Sequence, residues 1–98
     1  MLYLKLKKGD SVDIKYHDEF SRLKVLDLYP GHWLKMIWST EQSNFVMTVP
    51  MKTKFTSEVV DGSPLHFYVL KSSPSTVMLG VNSVNPHIKI NRRKHNGC

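Results

Sequence analysis

Residues 63–71 read SPLHFYVLK. Leu65, Phe67 and Val69 occupy every second position, with His66 on the other side of the same segment. A period of two belongs to a pleated strand with one buried face, whereas an amphipathic helix needs apolar residues three and four apart. This segment therefore reads as a strand whose Leu65, Phe67 and Val69 point into a core, with His66 exposed.

The same alternation recurs along the chain. Val12, Ile14 and Tyr16 alternate with Ser11, Asp13 and Lys15, and Leu23 and Val25 alternate with Arg22 and Lys24. Phe45, Met47 and Val49 also face one way. There is no alanine, while valine, isoleucine and threonine are plentiful, a combination that suits a sheet better than a helix. Turn formers separate the alternating runs: YPGH at 29–32, TEQSN at 40–44, DGSP at 61–64, SSPS at 72–75 and NSVNP at 82–86. About seven or eight short strands follow, at the spacing of an antiparallel barrel or sandwich. One helical turn is conceivable at 17–22, where Asp18 and Glu19 favour a helix start. A bulged connection between two strands competes with it.

The 98 residues suffice for one core, with 41% hydrophobic and 22% charged residues, the balance of a globular domain. We expect one β-barrel domain over 1–91 and a basic tail over 92–98, of which KHNGC frays. No apolar run approaches the roughly 20 residues that span a bilayer, so no membrane insertion is expected. The opening MLYLKLKKGD lacks the continuous apolar block of an export signal. Cys98 is the one cysteine, and it reads as an incidental thiol in a cytoplasmic protein.

The formal net charge is +6. Such a surplus admits an anionic partner without choosing among nucleic acid, nucleotide phosphate and an acidic protein face. Lys5, Lys7 and Lys8 lie near one end of the sequence, and Lys89, Arg92, Arg93 and Lys94 near the other. If the termini are close in space, these form one patch; the competing reading is two solvated ends.

Motifs of catalysis are scarce. The histidines at 17, 32, 66, 87 and 95 show no metal-ligand spacing, and no Cys-x-x-Cys occurs, so no zinc site is expected. Neither Gly-x-Ser-x-Gly nor a glycine-rich phosphate loop is present. Asp18 and Glu19 are immediate neighbours and would point apart. Among the aromatics, Phe45, Phe55 and Phe67 fit inward strand positions and are assigned to the core rather than to base stacking. Trp33, Lys35 and Ile37 share one face of a strand, opposite Leu34, Met36 and Trp38. Trp33 and Lys35 are thus the candidate partner surface.

From Lys8 onward the chain reads KGDSVDIKY, then FSRLKVLDLYPGHWLKMIW, KFTSEVVDGSPLHFYVL and finally VNSVNPHIKINRR. This resembles the N-terminal domain of YcgR-type flagellar brake proteins, which precedes a PilZ domain. The features that carry the resemblance are Gly9, Val12 and Ile14, then Phe55, Ser57 and Val59, then Pro86 and the pair Arg92-Arg93. They extend over nearly the whole chain. The resemblance implies a split β-barrel that helps pass a cyclic di-GMP signal to the flagellar motor. It also implies that Arg92 and Arg93 open an arginine motif whose guanidiniums grip the dinucleotide, a task that suits their bidentate, stacking geometry. After Arg93 the sequence departs from the pattern, because the later arginine of the motif and the PilZ signature are missing. The ligand site is therefore expected to be partial: no cofactor is held by the chain alone, and cyclic di-GMP requires a PilZ partner.

A second similarity is to the small RNA-binding regulator CsrA, through the opening MLYLKLKKG and the segment GVNSVNPHIKINR, with Arg93 as the late arginine. The middle of the chain would then be an insertion, and Leu6 and Lys7 stand where that family has an arginine pair. The expected function is accordingly a non-enzymatic regulatory domain that contacts a PilZ domain or a flagellar motor component, with RNA binding as the alternative. An enzyme of the flavin-dependent split-barrel kind rests on fold analogy alone.

Overall fold

Lys7, Lys8, Gly9 and Asp10 make the first corner of the chain. The Asp10 carboxylate accepts the Lys7 amide at 2.9 Å, the Asp10 amide donates to the Lys7 carbonyl at 3.0 Å, and Gly9 takes φ 93°. Any residue with a Cβ would be strained at that φ. This corner carries the chain from one sheet to another. The structure, a computed structural model, describes residues 1–29, 31–60, 63–72, 75–83 and 85–93, and their side chains except at 57–60, 63, 71 and 72.

Among these residues there are nine strands and no helix. They are β1 (Leu2–Lys7), β2 (Ser11–Tyr16), β3 (Glu19–Tyr29), β4 (Trp33–Thr40), β5 (Asn44–Pro50), β6 (Lys54–Val60), β7 (Ser63–Ser72), β8 (Thr76–Ser83) and β9 (Lys89–Arg93). Every pairing is antiparallel. One sheet has the order β1-β8-β7-β6 and the other β5-β4-β3-β2-β9. The chain changes sheet between β1 and β2, β5 and β6, and β8 and β9, which gives a small split, barrel-like all-β fold. The nine strands exceed the seven or eight expected.

The core contains most of the inward positions read from the alternation and adds residues of β1 and β8, Leu4, Leu6, Val77, Leu79 and Val81, that were not read. Leu65 and Phe67 are fully buried, as are Val12, Ile14, Leu34, Met36, Val77 and Leu79. Phe67 stacks on Phe55 (ring centroids 4.8 Å) and meets the edge of Trp38 at 5.8 Å. Phe55 is half-buried and packs against this core. His66 is half-exposed and its Nδ1 lies 3.1 Å from Thr56 Oγ1.

Three sequence expectations need correction or completion. Phe45, assigned to the core, is 52% exposed. It pairs with buried Trp38 and so shares its side of the sheet, but β5 is the sheet margin and Phe45 lies near its free end. Alternation gives the side of a strand, and burial also requires something to cover it. At residues 17–22 there is neither a helical turn nor a bulge: Tyr16 pairs with Glu19 around a two-residue turn in unbroken register, with His17 at φ 52°, the sign such tight hairpins demand. Arg92 and Arg93, which the sequence placed in a basic tail, are instead the last two paired residues of β9. Residues 94–98, including the segment expected to fray and Cys98, lie outside the described residues.

A bulge in β3 decides what the outer face of the five-stranded sheet displays. The β3–β4 register shifts between Val25 and Asp27, with Leu26 the extra residue. Val25 pairs with buried Met36, yet two positions later Asp27 pairs with exposed Lys35, and Tyr29 pairs with Trp33. Without the extra residue, Asp27 and Tyr29 would continue the inward series of Leu23 and Val25. Bulges re-aim side chains in this way.

Candidate functional site

Arg92 and Arg93 are neighbours on one strand, so the pleat sends them to opposite sides. Arg92 pairs with Val12 and lies on the inward side at the sheet margin; Arg93 pairs with Ser11 and lies on the outer face. The Arg92 Nη1 donates to the carbonyl of Lys5 at 3.0 Å. Since β1 and β9 are the margins of the two sheets, this bond crosses the open seam between them. The two basic ends of the chain do meet there.

Arg93 belongs to a different cluster. Its Nε donates to Asp13 Oδ2 at 3.0 Å, and Arg22 Nε donates to Asp13 Oδ1 at 2.7 Å. Asp13 on β2 pairs with Arg22 on β3 and with Asn91 on β9, so the strand order itself places the carboxylate between two guanidiniums. Burial, the largest single influence, pushes the Asp13 carboxyl up. Hydrogen bonds and charge from Arg22 and Arg93 together outweigh it and hold the carboxyl below the usual Asp value. Asp13 stays ionised, and it partly neutralises an otherwise strongly positive margin.

The other predicted pair lies on the same face, three strands away. Trp33 is half-buried and its ring lies against that of Tyr29, centroids 3.7 Å apart and planes tilted by 30°. Tyr29 Oη donates to Asp27 Oδ2 at 2.9 Å, the Leu28 amide donates to Asp27 Oδ1 at 2.9 Å, and Lys8 Nζ stands 3.9 Å from Oδ1. The bond from Tyr29 is the chief reason that the Asp27 carboxyl is held down and the Tyr29 phenol is pushed up. Lys35 is exposed beside them. The structure therefore unites Arg93, Trp33 and Lys35 on one surface and leaves Arg92 at the seam.

Sequence reasoning missed Asp13, Arg22 and Lys24 as members of that surface. Their signal was present as the polar half of the β2 and β3 alternation, but which strands are neighbours was not readable. A shallow cleft of about 300 Å³ lies at the start of β3, beside the end of β4 and the turn that follows it, lined by Glu19, Phe20, Ser21, Thr40, Glu41 and Gln42. Its two carboxylates suit an anion poorly, so this cleft and the arginine pair are separate features. Among the described residues no group of three or more histidine, cysteine or acidic side chains is placed to hold a metal ion, and no helix is long and apolar enough to cross a membrane. No protein-family model matches the chain, and no curated protein or solved structure matches it.

Proposed function

We propose that this chain is a non-enzymatic regulatory domain of the kind that precedes PilZ in YcgR-type brake proteins, acting through protein contacts in the cytoplasm. Its Arg92 and Arg93 supply part of a cyclic di-GMP site that a PilZ domain completes. The observation that supports the reading is the position of the pair at the end of β9, at the margin of a small two-sheet β-barrel. There a following domain would meet both guanidiniums. A guanidinium has five N–H donors, and the contacts to Lys5 and Asp13 use one in each arginine.

Because the two side chains diverge, neither wall of a dinucleotide pocket is closed by this chain. Two exposed charge-assisted contacts return about 1.5–3 kcal/mol each, which the cost of association largely cancels. Calorimetry should give no binding of cyclic di-GMP below about 100 μM for the chain alone. Joined to a YcgR-type PilZ barrel, it should bind tightly and lose that binding when Arg92→Ala and Arg93→Ala are combined. Micromolar binding by the isolated chain would refute the half-site. An assembled pair indifferent to the double substitution would refute the regulatory reading.

A further inference from the structure

We infer that the outer face of the five-stranded sheet is a binding surface for single-stranded nucleic acid, an activity beyond the dinucleotide half-site, with which it shares Arg93. The register puts Lys15, Arg22, Lys24, Lys35, Lys89 and Arg93 on this face, with Asp13 and Asp27 as its carboxylates. Six cations face two anions, in a chain whose formal net charge is +6. Lys15, Lys24, Lys35, Lys89 and Arg93 are all exposed. Both carboxylates already have partners, Asp13 in Arg22 and Arg93, and Asp27 in Tyr29 and Lys8. Lys15, Lys24 and Lys89 make no ion pair among the described residues and are left to an external anion, and Lys35, though within electrostatic reach of Asp27, is exposed to one as well.

Aromatic rings bracket the charge. At one end of β3 stands the Tyr29–Trp33 pair. At the other is half-buried Phe20, with the Arg22 guanidinium 5.3 Å above its ring. Between Phe20 and Tyr29 the strand rises about 30 Å at roughly 3.3 Å per residue, and Lys24 and Lys35 lie along that path. Rings and guanidinium planes give bases a surface to stack on, while flanking cations track the phosphates, as in other sheet platforms for single strands. Glu19 and Glu41 border the cleft at Phe20, so that end would offer a phosphate like charge and a base only the ring.

The alternatives fit less well. Five strands at about 4.8 Å spacing span roughly 19 Å between the outermost two, too wide for a major groove of about 12 Å. A duplex is thus disfavoured. A lipid surface would use the charge alike but leave the paired rings and the Phe20–Arg22 contact without a role.

The test is fluorescence anisotropy with a labelled ten-nucleotide oligouridylate, the same-length duplex RNA, and phosphatidylserine vesicles, across a salt series. The oligouridylate should bind more tightly than the duplex, with log K falling by about 0.7 per phosphate contact for each log unit of salt. Lys24→Ala with Lys35→Ala should flatten that slope by about 1.4. Trp33→Ala should weaken binding about 5- to 150-fold with the slope unchanged, the signature of a lost stacking contact. Circular dichroism of each variant checks that the sheet is intact, and Lys24→Arg with Lys35→Arg should keep affinity. Duplex or vesicle binding equal to that of the single strand, or indifference to both the lysine and the Trp33 changes, would overturn the proposal.

Discussion

Asp13 and Arg93 are 80 residues apart in sequence and 3.0 Å apart in space, joined across the β2–β9 ladder, while Arg22 takes the other Asp13 oxygen at 2.7 Å. A carboxyl whose pKa is lower in the folded than in the unfolded chain adds stability above the unfolded value, near 3.9, and loses it as pH falls through the folded one. The parent protein should therefore lose stability on the acid side below about pH 4. Asp13→Asn should flatten that limb in denaturant titrations between pH 7 and 2. At pH 7, Asp13→Ala should cost about 1–2 kcal/mol, since two partly exposed guanidiniums lose their acceptor. An unchanged acid limb in the Asn variant would show that other carboxylates carry it.

Two phenylalanines on core-facing sides should behave oppositely. Phe67→Ala removes a fully buried ring that touches Phe55 and Trp38, and should cost about 3–5 kcal/mol, enough to unfold a small domain. Phe45→Ala, at a site 52% exposed, should cost no more than about 0.5 kcal/mol. Similar melting losses for both would mean that β5 is covered in solution.

The corner between β5 and β6 holds Lys52 at φ 63°. A left-handed conformation costs an L-residue roughly 1–2 kcal/mol, and glycine avoids this at an entropic penalty of about 0.5–1 kcal/mol. Lys52→Gly should accordingly raise stability by about 0.5–1 kcal/mol. Chemical denaturation at equal slope would register it as a higher midpoint; a lower one would contradict the backbone conformation.

Arg92→Ala combined with Arg93→Ala deletes the seam bond to Lys5 and one of the two bonds to Asp13. Arg93 has 63% of its side chain exposed, and exposed pairs contribute little. The combined loss should stay within about 1.5 kcal/mol. A larger drop in denaturation midpoint would make the pair structural, and would remove the basis for treating the arginines as ligand groups held in reserve.

The strand faces were legible because each depends only on neighbours in sequence: Leu65, Phe67 and Val69, or Leu34, Met36 and Trp38, carry their own period. What was illegible depends on pairing partners. Phe45 has the inward period but no cover. Asp27 and Tyr29 have it too, until the extra residue Leu26 turns them outward to Lys35 and Trp33. The arginine pair was visible as charge, but its split between seam and outer face follows from the register of β9 on β2, set by residues some 80 positions apart. The resemblance to YcgR-type domains pointed to the arginines without indicating that Arg92 and Arg93 would diverge.

The β2–β9 pairing also sets a timetable. β2 is made early, and the edge it offers to β9 has no partner until residues 89–93 emerge. At about 5–20 residues per second, the 80 residues from Asp13 to Arg93 take roughly 4–16 s to synthesise. An unpaired edge of that age invites pairing with the wrong chain. Asp13 and Lys15, outward on β2, act as its guards through that interval, because charge on an edge discourages a foreign strand. When β9 arrives, Asp13, already bonded to Arg22 of the preceding hairpin, also becomes the anchor for Arg93.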